Sequence, residues 1–141
     1  MKFSAKARYG LKAMYYLGLN YGEKLSINRI ASLTGVMVPY LEKIMRSLKK
    51  GGFVSSERGT SGGYYLCYPP EFITIGQILK VLEEDLFTSE CVKNHCTDKN
   101  CPNKLIFKTI HDGINDFLHK LTLKEMISNN TTNGEKSLGC N

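Results

Sequence analysis

SINRIASLTGVMVPYLEKIMRSLKKGG, residues 26–52, is the stretch that decides the fold. Ser26 stands just ahead of Ile27, Ile30, Ala31 and Leu33, where its hydroxyl can accept from the free N–H groups that open a short helix. Gly35 breaks that helix. Pro39 suits the first turn of the next one, because its missing N–H would have no partner there in any case. Leu41, Ile44, Met45 and Leu48 then follow at i, i+3, i+4 and i+7, a single apolar stripe. Lys49 and Lys50 set cations at the negative end of the helix dipole, and Gly51 ends the element. Tyr40, Glu42, Lys43, Arg46, Ser47 and Lys50 are left off the stripe.

Two short helices joined by a turn containing glycine are the outline of a helix-turn-helix. In such motifs the N-terminal residues of the second helix reach base edges in the major groove, here Met37, Val38, Pro39, Tyr40, Glu42 and Lys43. Glu42 can accept from cytosine N4 and repels phosphate, which would make it a selecting residue; it can equally pair with Arg46 at i+4. Downstream, residues 53–57 read as a strand, Arg58-Gly59-Thr60-Ser61-Gly62-Gly63 as a turn, and residues 64–68 as a second strand stopped by Pro69-Pro70. A hairpin with a basic tip after a helix-turn-helix is a wing, with Arg58 free to hold a phosphate or enter the minor groove. The glycine run lacks the Lys-Ser/Thr ending and the following helix of a nucleotide-binding loop. Upstream, Ala7, Gly10, Leu11, Met14, Leu17, Gly18 and Tyr21 recur at helical spacing over residues 4–21, with Ser4 as the cap and Gly22 as the terminator.

The whole chain, 141 residues, is about the length of one domain. Its net charge of +6 is uneven: residues 1–60 hold 11 basic residues against three acids, and residues 61–141 hold eight against ten. A basic half beside a slightly acidic one points to a polyanion-binding face on the first half. No run of 18 apolar residues exists, so no membrane partner is expected. The start lacks the apolar core of a secretory signal, so a cytoplasmic protein is expected.

Thr74 with Gln77 makes a capping box opening a helix through Ile75, Ile78, Leu79 and Leu82. From about Pro102, a long helix carries Phe107, Ile110, Ile114, Phe117, Leu118 and Leu121 at offsets resembling a coiled-coil seam, which suggests a helix-mediated homodimer. Thr122 and Glu125 form a second capping box before a short final helix. The expected class is mainly α with a small β-hairpin: a winged helix-turn-helix over residues 1–84, a cysteine loop over 85–102, a dimerisation helix with the short terminal helix over 103–128, and a disordered tail over 129–141.

The five cysteines fall into unlike groups. Cys67, between aromatic residues, reads as a buried small apolar group, and Cys140 as inert. Cys91, Cys96 and Cys101 share one loop with His95 between them. Three soft ligands within 11 positions can converge on one metal centre, although the spacing is not the paired arrangement of common zinc sites. An iron–sulfur cluster, zinc held by the three cysteines and His95, a thiol switch, and bystander cysteines all remain open. An enzyme is not expected: beyond His95 and Asp98 no acid–base pair lies near the cysteines, and the chain leaves little room for a substrate cleft.

The opening MKFSAKARYGLKAM, then Tyr40-Leu41-Glu42, Leu48 to Val54, Arg58 to Tyr64, Ile73-Thr74-Ile75 and Leu121-Thr122-Leu123 together resemble the Rrf2 family of bacterial winged-helix regulators, over roughly residues 1–127. The resemblance implies a homodimeric transcriptional regulator on double-stranded DNA with a palindromic operator. It places the interface at Lys6, Arg8, Ser26, Pro39, Tyr40, Glu42, Lys43, Arg46, Arg58, Gly59, Thr60, Ser61 and Gly62. In IscR-like and NsrR-like members, three loop cysteines hold a cluster whose state sets DNA affinity. By that resemblance Cys91, Cys96 and Cys101 would hold one, a two-iron two-sulfur centre ahead of a four-iron four-sulfur one, with zinc as the alternative. CymR-like members, regulators of cysteine metabolism, lack this triad and so are expected to fit less well. Each cysteine gap here is one residue shorter than in the cluster-binding members. Lys104 stands where IscR-like members have a ligating His, leaving His95, Asp98, His111 or an exogenous thiol as candidates for the fourth position.

Overall fold

The computed structural model describes residues 3–83 and 97–132. Helix α1 (Ala5–Leu19) is capped by Ser4, whose hydroxyl accepts from the Ala7 N–H at 3.0 Å. Helix α2 (Ile27–Thr34) is capped by Ser26 in the same way, from the Arg29 N–H at 3.1 Å. It ends at Gly35 with φ +73°, a left-handed conformation that glycine adopts without a side-chain clash. Helix α3 (Val38–Lys50) starts with Pro39 in its first turn and ends on Lys49 and Lys50. Its buried residues are the expected stripe, Leu41, Ile44, Met45 and Leu48.

Strands β1 (Val54–Glu57) and β2 (Gly63–Leu66) pair antiparallel, Val54 opposite Leu66 and Glu57 opposite Gly63. Leu25 adds a bridge on the free side of β2, exchanging two backbone bonds with Tyr64 at 2.9 and 2.7 Å. Gly63 permits that approach, because a Cβ there would sit 2.6 Å from the Leu25 carbonyl oxygen. The second strand is shorter than expected. Leu66 is its last inward side chain, and Cys67 beyond it is exposed rather than buried between its aromatic neighbours. The alternation of the pleat turns Cys67 outward, and its backbone N–H bonds to the Phe53 carbonyl at 3.0 Å.

After a single 3₁₀ turn at Pro70–Phe72, helix α4 (Ile75–Leu82) opens on the Thr74–Gln77 capping box, with both reciprocal bonds present. Helix α5 (Asn103–Lys120) and helix α6 (Leu123–Thr132) complete the order. The second capping box is also present, Glu125 N–H to Thr122 Oγ1 at 3.1 Å and Thr122 N–H to Glu125 Oε2 at 3.3 Å. Helix α6 runs through Thr132, into the stretch expected as tail. Asn130 Nδ2 donates to the Met126 carbonyl and Thr131 Oγ1 to that of Ser128, so residues that break periodicity in the sequence still bond back to the preceding turn.

One core joins α1 to α4, the hairpin and α6. Met14, Leu17, Ile30, Leu41, Ile44, Leu48, Ile73, Leu79 and Leu123 are all within 1% of complete burial. Each such side chain contributes about 1.5–3 kcal/mol relative to exposure. Leu123 and Ile127 of α6 close on Gly18 of α1, where a Cβ would lie 2.6 Å from Ile127.

Candidate nucleic-acid interface

Helix α3 buries one face completely, so its other face is delivered to solvent by packing alone. Pro39, Tyr40, Glu42, Lys43 and Arg46 are exposed, and Ser47 is half-buried. Met37, just ahead of the helix, is the most exposed large apolar side chain among the described residues, at 78%. Beside α3 the wing presents Arg58, Gly59, Thr60 and Ser61 in the open, with Gly62 half-buried at its root. From α1, Arg8 is exposed and Lys6 half-buried. Ser26 is exposed too, and its hydroxyl, which accepts from the Arg29 N–H as the α2 cap, keeps its O–H free to donate.

Glu42, Arg46 and Lys49 of α3 and Tyr64 of β2 line a concavity of about 340 Å³. It brings the second helix and the wing around one hollow. Among the described residues Glu42 pairs with neither Arg46 nor another cation. Its carboxylate is therefore available as an acceptor, and its charge repels phosphate in a surface that is otherwise basic.

Two lysines hold the wing. Lys49 Nζ donates to Ser56 Oγ at 2.7 Å, tying the end of α3 to β1. Lys24 pairs with Glu57 at the outer end of the same strand. Sequence reasoning had Lys49 only as a dipole-complementing cation and had Lys24 only as part of the charge count. Nothing local marks their partners, which are 7 and 33 residues away.

Cys91, His95 and Cys96 lie outside the described residues. Cys101 is described, half-buried at the approach to α5, with its carbonyl accepting from Lys104 N–H at 3.3 Å. Asp98, three residues earlier, accepts from the Asn100 N–H at 3.0 Å in a local turn. His111 contacts Asp112, Nδ1 to Oδ1 at 3.2 Å, and stands eight residues into α5. That is about 12 Å along the axis from the helix start. Among the described residues no three His, Cys, Asp or Glu side chains are grouped as a metal site.

Helix α5 buries none of its residues. The apolar positions expected as one seam divide into two faces. Leu118 packs on the core, with Ile114 and Leu121 half-buried. Ile106, Ile110 and Phe117 point outward at 52, 49 and 60% exposure, beside Leu105 and Phe107. The division follows from width: six apolar positions cover more of the helix circumference than one narrow seam requires. No helix among the described residues is long and apolar enough to cross a membrane.

Comparison with known proteins places this geometry. The family described as Rrf2, iron-dependent transcriptional regulator, matches residues 3–129. The HTH-type transcriptional regulator IscR of Erwinia tasmaniensis is 30% identical over 132 residues, covering 92% of this chain and 80% of that protein. The HTH-type transcriptional regulator CymR of Bacillus subtilis is 34% identical over 137 residues, covering 96% and 95%. Its solved structure, the global cysteine regulator, superposes with a TM-score of 0.78 over 91% of this chain and 97% of that one, at 33% identity. The solved IscR of T. potens gives the same TM-score over 99% and 94%, at 30% identity. These relatives are named as regulators, not enzymes, and solved structures of both kinds match the chain at the same TM-score.

Proposed function

The chain belongs to the Rrf2 family of transcriptional regulators, and from that premise we propose that it is a homodimer whose affinity for a palindromic operator is set by an iron–sulfur cluster on the three-cysteine loop. The observation that carries the DNA reading is the α3–wing surface, where Glu42 and Arg46 line a hollow with a strand of the wing. Lys43, Arg46, Arg58, Arg8 and Lys6 hold phosphates. Pro39, Tyr40 and Glu42 face base edges, and Gly59, Thr60, Ser61 and Gly62 let the wing backbone approach closely. The outward stripe Ile106, Ile110 and Phe117 supports the homodimer, since a second copy of the stripe would cover it.

The donor set fits the cluster in its chemistry. Cys91, Cys96 and Cys101 are soft sulfur donors within one short stretch, and Cys101 is a free, half-buried cysteine. Those three residues would hold it, with His95 as candidate for the fourth position; zinc on the same four side chains is the alternative. When bound, the cluster supplies a centre whose charge and occupancy respond to iron, redox state or nitric oxide. A coupling of about 1–3 kcal/mol would change operator affinity about 5- to 150-fold.

The likeness to CymR supports a second reading, a cluster-free regulator of the same fold that acts through thiol chemistry. Anaerobic purification with iron and sulfide counts separates the two. A brown protein with visible absorption, lost in Cys91→Ala, supports the cluster. A colourless, iron-free protein that binds DNA supports the second reading, and full-occupancy zinc overturns both in favour of the zinc form.

A further inference from the structure

Ser4 and Glu83 are 79 residues apart, yet the Ser4 backbone N–H donates to Glu83 Oε1 at 2.7 Å. Helix α1 has no acidic residue in its first turn, and it places Lys6 and Arg8 near the positive end of its own dipole. A carboxylate is the favoured partner for such an end, and Glu83 delivers one from the C-terminus of α4. One turn along α1, the Arg8 guanidinium lies over the Tyr9 ring, 5.9 Å from its centre. Tyr9 in turn meets Tyr40 edge to face, with ring centres 6.2 Å apart at 89°. Tyr40 follows Pro39 in the first turn of α3. Contiguous contacts therefore run from the end of α4, through the first turns of α1, to the base-facing end of α3.

We propose that Glu83 is a positioning residue for the DNA-reading surface: by holding Ser4 it fixes the first turn of α1, and through Tyr9 the setting of Tyr40. The proposal rests on the DNA-binding reading above. It also carries a sign that simple electrostatics does not. A carboxylate repels DNA, so its removal by charge alone strengthens binding to every sequence. Loss of a positioning contact instead weakens binding to the preferred sequence and leaves other sequences alone.

The test uses a duplex selected by the wild-type protein from a random pool, and a scrambled duplex of the same composition. Affinities for both are measured by fluorescence anisotropy for the wild type, Glu83→Ala, Tyr9→Leu and the double variant. We expect Glu83→Ala to lose about fivefold or more of the preference for the selected duplex, and the double variant to lose no more than the larger single effect. An unchanged preference in Glu83→Ala overturns the proposal, as does a cycle that is additive within about a factor of two. Thermal unfolding accompanies each measurement. Should Glu83→Ala not fold, Ser4→Pro removes the same bond from its donor side, at a backbone φ of −66° that already suits proline. Ser4→Ala then corrects for the lost cap, and the same loss of preference is expected and the same absence of loss overturns. A wild type that enriches no duplex overturns the DNA reading and this proposal with it. A wild type that selects, beside a Glu83→Ala that selects equally well, overturns this proposal alone.

Discussion

Arg46 and Lys43 differ from Lys49 and Lys24 in what their charges meet. Arg46 and Lys43 are exposed and unpaired among the described residues, whereas Lys49 bonds to Ser56 and Lys24 to Glu57. Removing either free cation is expected to weaken binding to all duplexes alike and to flatten the dependence of log affinity on log salt by about one unit. Lys24→Ala is expected to leave that slope nearly unchanged, because the charge it removes is already matched by Glu57. Titrations at several salt concentrations check both outcomes. Glu42→Ala should behave differently again: it strengthens binding to non-preferred sequences and relaxes selection at one base pair, worth about 1–3 kcal/mol. Affinities for duplexes varied at each position would show it. The candidates on α3 were legible in the sequence because the core stripe of one helix defines its outer face by subtraction. The two wing-holding lysines were not, because their partners are set by how the hairpin packs beside α3.

Helix α5 is the element whose sequence and environment disagree in the isolated chain. Five large apolar residues between Leu105 and Phe117 are exposed, and water penalises each of them. For the proposed homodimer, Ile110→Glu is expected to give a monomer while leaving the rest folded, since no residue of α5 is buried in its own chain. Sedimentation measures the first and thermal unfolding the second. A dimer that persists would remove α5 as the interface. The capping boxes are a milder case. Thr74→Ala deletes the acceptor for Gln77 N–H and should cost about 1 kcal/mol in chemical denaturation. Both boxes were legible because their chemistry is local: the donor and the acceptor are three residues apart. The division of α5 into a core-facing and an outward face was not, because periodicity reports that a face is apolar without reporting what covers it.

At the scale of the molecule, one core holds α3, the hairpin and the C-terminal end of α5 together. Leu48, fully buried on α3, stands near the start of the hairpin, whose Phe53 N–H bonds to the Leu48 carbonyl at 3.1 Å. Leu48→Ala is expected to destabilise the protein by about 2–5 kcal/mol and to loosen the wing with it. Denaturant unfolding gives the first, and hydrogen exchange over residues 54–66 the second. Leu121 and Leu123 bind the other end: the Leu121 carbonyl accepts from Ile75 N–H and Leu123 N–H donates to the Ile73 carbonyl, both at 2.8 Å. The C-terminal end of α5 is thereby fixed to the start of α4, while residues 102–110 at its opposite end are all exposed.

The sequence by itself determined the elements, their caps, the face that α3 buries and the membership of the chain in its family. These depend on periodicity and on residues within one turn of each other, so they are written along the chain. Tertiary structure alone decided which cations are free for phosphate, that Cys67 faces outward, that α5 has two apolar faces, and that Glu83 reaches the start of α1. Each of these depends on a contact between segments that only the packed core brings within bonding distance.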